Sequence, residues 1–138
     1  MKKNHETIID SGFVPETGFS WVTIATPYGH FSGTAQVHPE DLEKGYYTSI
    51  TGQTLAHARA HIAYIKHKKQ LKQEVFKEMK TLLAHAPKNN KTTKNLEEAL
   101  ELYKNQIQEY KNEIQNTYNG ISERIKNTED YFNKAKNK

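Results

Sequence analysis

The sequence predicts an α+β protein: a small N-terminal antiparallel β-sheet followed by two long antiparallel helices. Aromatic and β-branched residues cluster between positions 19 and 37, and two long stretches after position 51 repeat apolar residues at heptad spacing. With 138 residues, of which 35% are hydrophobic, the chain predicts one domain (1–138). Its predicted parts are a β-rich part (1–50), helix one (51–86), a connection (87–95) and helix two (96–135).

The composition predicts a soluble protein of the cytoplasm. Charged residues make up 26% of the chain, and no apolar run approaches the roughly 18 residues that span a bilayer. The first ten residues lack the apolar middle of a secretory signal. The chain has no cysteine, which excludes disulfides and thiolate chemistry.

The N-terminal part predicts a β-hairpin. Residues 19–26 (FSWVTIAT) and 30–37 (HFSGTAQV) read as strands, joined by a turn that contains Pro27 and Gly29. The small residues Gly33 and Ala35 share one face of the second strand, which indicates close packing of a helix or a second subunit.

Shorter elements are expected between the hairpin and helix one. The segment 38–41 (HPED) predicts a turn or short helix that ends near Gly45, because proline cannot continue a strand ladder. A third short strand is predicted at 46–50.

Helix one is predicted from its heptad spacing, with Thr51 or Thr54 as its N-cap. Its apolar positions are Leu55, Ala58, Ile62, Ile65, Phe76, Met79, Leu83 and Ala86. Lys69 and Lys72 occupy positions where this seam would be apolar, so we expect an interrupted core there.

Helix two is expected to begin after a cap at Thr93 or Asn95, with Glu97 and Glu98 in its first turn. Its stripe is Leu96, Leu100, Tyr103, Ile107, Tyr110 and Ile114, then Tyr118, Ile121, Ile125 and Phe132. The extra step before Tyr118 predicts a stutter. A stripe this long predicts a partner chain as well as helix one.

Two readings of the helix-two tyrosines stay open. They are either the rim of a helix interface or a half-open cleft in which Tyr103, Tyr110 and Tyr118 stack on planar ligands. Only two of the 20 basic residues are arginines, Arg59 and Arg124, and arginine suits bidentate phosphate binding.

The sequence predicts neither an enzyme nor a metal or cofactor site. No serine elbow, phosphate-binding glycine loop or paired carboxylates are recognisable. His57 and His61 have the spacing of metal ligands, but the residues between them, Ala58 to Ala60, lack the glutamate of the zinc-protease motif. The lysine-rich run 66–72 is interpreted as a solvated face rather than a nucleic-acid site.

The sequence contains two motif segments within residues 20 to 66: Tyr28-Gly29-x-Phe31-x-Gly33-x-Ala35-x-x-His38-Pro39-Glu40-Asp41 and Gly52-x-x-x-Ala56-x-x-Arg59-Ala60-x-Ile62. These segments resemble the type 1 Thoeris anti-defence family of small phage and prophage proteins. The resemblance implies a β-sheet with two long helices, dimers that associate into hexamers, and a sponge that sequesters cyclic nucleotide immune signals without degrading them. The implied ligands are glycocyclic ADP-ribose and cyclic di- or trinucleotides.

The family motif carries over one binding residue, Arg59. By residue type, the ligand-binding candidates also include Arg124, Tyr103, Tyr110, Tyr118, His61, Tyr28 and His30. The expected partners are a small cyclic nucleotide and further copies of the chain, with no membrane. The alternatives are a coiled-coil adaptor that binds another protein and a lysine-rich nucleic-acid binder.

Overall fold

The computed structural model describes residues 6–45, 49–86 and 91–136, except for the side chains at positions 42, 44, 49, 50, 92 and 128–136. The elements in these ranges are β1 (Thr7–Val14), β2 (Phe19–Thr26), β3 (Gly29–Gln36), α1 (Pro39–Lys44), α2 (Ser49–His85) and α3 (Lys91–Lys136). The strands form one antiparallel sheet and two long helices follow it, which confirms the predicted α+β class. Within the described ranges, no helix has both the length and the apolar character needed to cross a bilayer.

The chain divides into two compact units. The sheet unit contains Met1–Tyr64 and Asn116–Lys138, and the hairpin unit contains Ile65–Gln115. The long helices therefore contribute segments to both units. The prediction of a single domain over residues 1–138 stays a prediction.

The predicted β-hairpin is confirmed as β2 and β3. Their register runs from Phe19 opposite Gln36 to Thr26 opposite Gly29. Gly29 has φ of 118°, a backbone conformation that glycine adopts without the steric cost of a side chain. This glycine therefore lets the chain reverse directly into β3.

Strand β1 was not predicted, because its sequence does not alternate. It pairs antiparallel with β2, so the sheet order is β1-β2-β3. The register shifts between Ile8 and Asp10, which is the signature of a β-bulge at Ile9. A bulge moves the following side chains to the other face, so a period-two search fails on this strand.

Gly12 also has its Cα beneath the ring of Trp21, and a side chain there would overlap that ring.

The core of the sheet unit lies between one face of the sheet and the first turns of α2. Its buried residues are Val22, Ile24, Ala35, Ala56, Ala60 and Tyr64. Gly33 is buried against the α2 backbone, where an added methyl group would overlap the Ala56 carbonyl oxygen and the Ala60 nitrogen. The sequence left a helix and a second subunit open as the neighbour of Gly33, and the structure identifies helix α2.

The elements before α2 agree in part with the sequence analysis. The predicted short helix is α1, and Gly45 follows it with φ of 74°. The third strand predicted at 46–50 is wrong at its end, because Ser49 and Ile50 belong to α2, while residues 46–48 lie outside the described ranges. Thr51 and Thr54 lie inside α2, so neither is its N-cap.

Helix α3 begins at Lys91, before the predicted start at 96, so residues 91–95 are helical rather than part of a connection. The sequence missed this turn because an apolar stripe marks only the packed part of a helix. The N-cap predicted at Thr93 or Asn95 is therefore wrong. Glu97 and Glu98 also lie beyond the first helical turn, which contains no acidic residue.

The buried row of α3 keeps its heptad spacing through the predicted stutter. Ile107, Ile114 and Ile121 are buried at intervals of seven residues. Thr117 is half-buried between the last two, whereas Tyr118 is exposed. The predicted stutter placed Tyr118 in the packed stripe of the helix, but Thr117 occupies that position in the structure.

In the hairpin unit, α2 and α3 run antiparallel and lysines of α2 lie over tyrosines of α3. The Lys72 ammonium is 4.2 Å from the centroid of the Tyr103 ring, and the Lys68 ammonium is 5.4 Å from that of Tyr110. A cation over an aromatic face is a stabilising contact. Lys72, one of the two lysines that the sequence analysis placed in the seam, therefore has a partner of matching chemistry.

Candidate functional site

Arg59 lies at the open edge of the sheet. Helix α2 crosses β3 with Ala56 and Ala60 against Gly33, which leaves the intervening Arg59 at the border of the packed face. Its Nη1–H group donates a hydrogen bond of 2.8 Å to the carbonyl oxygen of Thr34. Since β3 is an edge strand, this carbonyl has no strand partner on that side. The bond satisfies the carbonyl and orients the guanidinium.

The partner of Arg59 is a neutral backbone carbonyl rather than a carboxylate. A guanidinium has five N–H donors, of which one is given to the Thr34 carbonyl. Arg59 is exposed, so the other donors remain accessible to a ligand. The arginine is thus held by the backbone and still able to bind an anion.

An aromatic row follows Arg59 along α2 and β3. The rings of Phe31 and Tyr64 have centroids 5.4 Å apart, and those of Tyr28 and Tyr64 are 6.2 Å apart. Tyr64 is only 2% exposed, whereas Tyr28 is 54% exposed. Tyr28 is therefore the ring of this row that presents most of its surface to a ligand.

The turn between β2 and β3 fixes the backbone of Tyr28. The hydroxyl of Thr26 accepts a 3.1 Å hydrogen bond from the Tyr28 N–H and donates one of 2.8 Å to the Gly29 carbonyl. Side-chain hydroxyls that bridge a turn in this way reduce its conformational freedom. Tyr28 is consequently a positioned residue rather than a loose loop tip.

Two other predicted binding residues of the sheet unit lie away from Arg59. The Nδ1 atom of His61 is 2.8 Å from Oε2 of Glu6, at the N-terminal end of β1. His30 directly precedes Phe31 on β3, so its side chain leaves from the sheet face opposite α2. The binding roles of His61 and His30 stay predictions, but the structure does not bring them to the Arg59 edge.

The remaining candidates are on α3. Tyr103 and Tyr110 belong to the hairpin unit, where Lys72 and Lys68 cover their rings. Tyr118 and Arg124 are exposed on the α3 segment of the sheet unit. A ligand stacking on the same face of Tyr103 or Tyr110 would have to displace a lysine, so one face of each ring already has a structural role.

The predicted absence of a metal site stays a prediction. Among the described residues, no group of three histidine, aspartate or glutamate side chains is placed to hold a metal ion. His57 and His61 share a helix face, but His61 is engaged by Glu6.

The sequence analysis missed residues on both faces of the sheet. Phe19 and Trp21 stack on the face opposite α2, with centroids 6.1 Å apart, and the Trp21 Nε1–H group donates to Asp10 at 3.2 Å. Glu6 was missed because it precedes an unpredicted strand. Thr34 acts through its backbone carbonyl, for which a sequence gives no signal.

Comparisons of the chain with protein-family models, with curated proteins and with solved structures find no match. The resemblance to the type 1 Thoeris anti-defence family therefore stays a prediction carried by the motif residues.

Proposed function

We propose that the protein binds a small cyclic nucleotide and holds it unchanged, as an anti-defence sponge. The observation that carries the proposal is the Arg59 guanidinium, which one hydrogen bond fixes to the Thr34 carbonyl while its other donors stay accessible. A side chain that is already ordered loses less conformational entropy when a ligand binds. Phosphate oxygens match the planar fork of a guanidinium, so a phosphorylated ligand is the class that this site favours.

The aromatic row supplies the second half of such a site. Tyr64 follows Arg59 by five residues, which is about 7.5 Å along a helix axis. The ring of Tyr28 lies 6.2 Å beyond that of Tyr64 and is largely exposed. The strip along β3 runs from the turn at Tyr28 to Thr34, six residues or about 20 Å in an extended strand, so a phosphate on Arg59 and a ring on Tyr28 would lie at its two ends. Base stacking on an aromatic side chain contributes about 1–3 kcal/mol.

Binding without turnover is the reaction class that these side chains favour. The described side chains in the strip are a guanidinium, phenols and a phenyl ring, which bind charge and flat surfaces rather than transfer protons at neutral pH. Mass spectrometry after prolonged incubation with cyclic ADP-ribose should recover the ligand with unchanged mass. Appearance of a linear or hydrolysed product would contradict this part of the proposal.

Calorimetric titration with cyclic ADP-ribose tests the site directly. Arg59→Lys keeps the charge but removes the fork, so we expect binding to weaken by roughly 1–3 kcal/mol with little change in thermal stability. Lys77→Ala is the control, because it removes an exposed cation elsewhere on α2. Equal affinity of parent and Arg59→Lys proteins, or an equal loss in the control, would show that Arg59 does not bind the phosphate.

Self-assembly is the second part of the proposal, and exposed apolar residues of the hairpin unit favour it. Leu71, Val75 and Leu82 recur at helical spacing on α2, and Leu82 is 60% exposed. A row of this kind is typical of a surface that another protein surface covers. We propose a second copy of the chain as that partner, in a symmetric dimer or larger oligomer.

The same row also favours the adaptor alternative, in which a different protein covers it. Light scattering of the purified chain separates the two. An adaptor without self-association would have the chain mass of 15.9 kDa, whereas an oligomeric sponge would have a multiple of it.

A further inference from the structure

An open pocket with a mixed polar and apolar lining lies between β1 and the first turns of α2, away from the Arg59 edge. Two cavities, of about 260 and 470 Å³, share the lining residues Ile8 and His57. The smaller cavity is also lined by Ser11, Gln53 and Thr54, and the larger one by Glu6. The larger volume is in the range of small-molecule sites, and the smaller one is just below it.

Glu6 gives this pocket its charge. Among the described residues that line the two cavities there is no lysine or arginine, and Glu6 is the carboxylate of this described lining. The neighbouring polar groups are hydroxyls, an amide and an imidazole, which hydrogen-bond without a fixed positive charge. In a chain of net charge +4, the pocket is therefore a local site for a cation rather than for a phosphate.

One oxygen of Glu6 lacks a donor. Oε2 lies 2.8 Å from Nδ1 of His61, whereas Oε1 is buried and has no hydrogen-bond partner among the described residues. Buried carboxylate oxygens are normally hydrogen-bonded, because their desolvation is otherwise uncompensated. Because Oε1 is inaccessible to solvent, a ligand N–H group supplies the missing donor only after the Glu6 side chain turns toward the cavity.

The apolar residues of the pocket indicate the chemistry of the uncharged part of the ligand. Ile8 lines both cavities and is half exposed, and Val22 lines the smaller one. An apolar wall opposite a carboxylate suits a ligand with an apolar body and one charged end.

We propose that this pocket binds a small organic cation whose ammonium, amidinium or guanidinium group donates to Glu6 while its apolar body packs on Ile8. The site is independent of the nucleotide site, since Arg59 does not line either cavity. The His61–Glu6 contact orients the carboxylate from the helix side. Helix α2 thus serves two sites, one on each side.

NMR titration of the full chain with benzamidinium tests the proposal, with neutral benzamide as the matched ligand. Saturable shifts should be centred on the amides of Ile8, Ser11 and Thr54, with a dissociation constant on the order of millimolar for so small a probe. Benzamide should bind about tenfold more weakly or not at all, because it lacks the charge that strengthens the hydrogen bond to a carboxylate. Equal binding of the two probes, or no saturable shift with benzamidinium, overturns the proposal.

Three variants locate the cation. Glu6→Gln keeps an oxygen for His61 and loses the negative charge, so benzamidinium affinity should fall about tenfold or more. Glu16→Gln, an exposed glutamate in the turn after β1, should leave the affinity unchanged, as should Arg59→Lys. Ser11→Leu tests the cavity without altering Glu6, and it should reduce binding by filling the space. Retained affinity in both Glu6→Gln and Ser11→Leu refutes this location. A loss in Glu16→Gln or Arg59→Lys as large as that in Glu6→Gln also refutes it. The Arg59→Lys result in addition separates this site from the nucleotide site.

Discussion

Replacement of Gly33 by alanine tests the packing of α2 on the sheet. A methyl carbon at this position would overlap the Ala56 carbonyl oxygen and the Ala60 nitrogen, and it would lie 2.9 Å from Cβ of Arg59. Ordinary contacts between non-bonded carbon atoms are about 3.5–4.0 Å, so the helix would have to move away from β3. The overlapped atoms at Ala56 and Ala60 belong to the backbone, which cannot rotate aside.

The destabilisation caused by this overlap is partly offset by a favourable change in the conformational entropy of the unfolded chain. Overpacking of this kind costs about 1–3 kcal/mol, and a backbone obstacle places Gly33→Ala at the upper end. Alanine recovers about 0.5–1 kcal/mol of chain entropy relative to glycine. We therefore expect Gly33→Ala to lower the free energy of unfolding by about 2 kcal/mol, or the urea midpoint by about 1 M.

Gly120 provides the matched control for this substitution. It lies within α3, and an added Cβ there would meet nothing within 4 Å. Gly120→Ala should therefore stabilise the protein by about 0.5–1 kcal/mol through helix propensity alone. Urea unfolding of both variants, at one protein concentration, gives the comparison. A Gly33→Ala protein as stable as the parent would refute the close approach of α2 to β3.

Three further predictions concern other contacts. A double-mutant cycle with Lys72→Met and Tyr103→Leu should give a coupling free energy of about 0.5–2 kcal/mol, and zero coupling would contradict the stacked geometry. Asp10→Ala removes the acceptor of the Trp21 Nε1–H group, so the free energy of unfolding should fall by about 1 kcal/mol and the fluorescence emission of the single tryptophan should shift. Asp10→Asn keeps an acceptor, so it should show the smaller change. Leu82→Glu should reduce the apparent mass in light scattering toward 15.9 kDa if the exposed α2 row forms the subunit contact, and an unchanged oligomer would place the contact elsewhere.

The candidate site was predictable only where a residue type and a motif coincided. Arg59 could be selected because arginine is rare in this chain and the motif contains it. Its partner, the Thr34 carbonyl, could not be selected, because a backbone oxygen at a sheet edge is available at every second residue of any edge strand. His61 was selected by residue type alone. It lies two positions after Arg59, which on a helix is a difference of about 200° in direction, and it contacts Glu6 instead.

Local pattern determined the class of the fold, the β2–β3 hairpin and the two long helices. Turn residues and apolar periodicity are properties of a few neighbouring residues, so they can be read without coordinates. Long-range contacts decided the rest. Strand β1 is defined by its pairing with β2 across a bulge, and the pocket with Glu6 exists only because β1 and α2 meet. The Lys72–Tyr103 contact likewise joins positions far apart in the chain. From the sequence, Lys72 was therefore interpreted as a break in the apolar seam and Tyr103 as the rim of a helix interface or part of a cleft. Such pairings depend on which surfaces fold together, and periodicity carries no information about the partner surface.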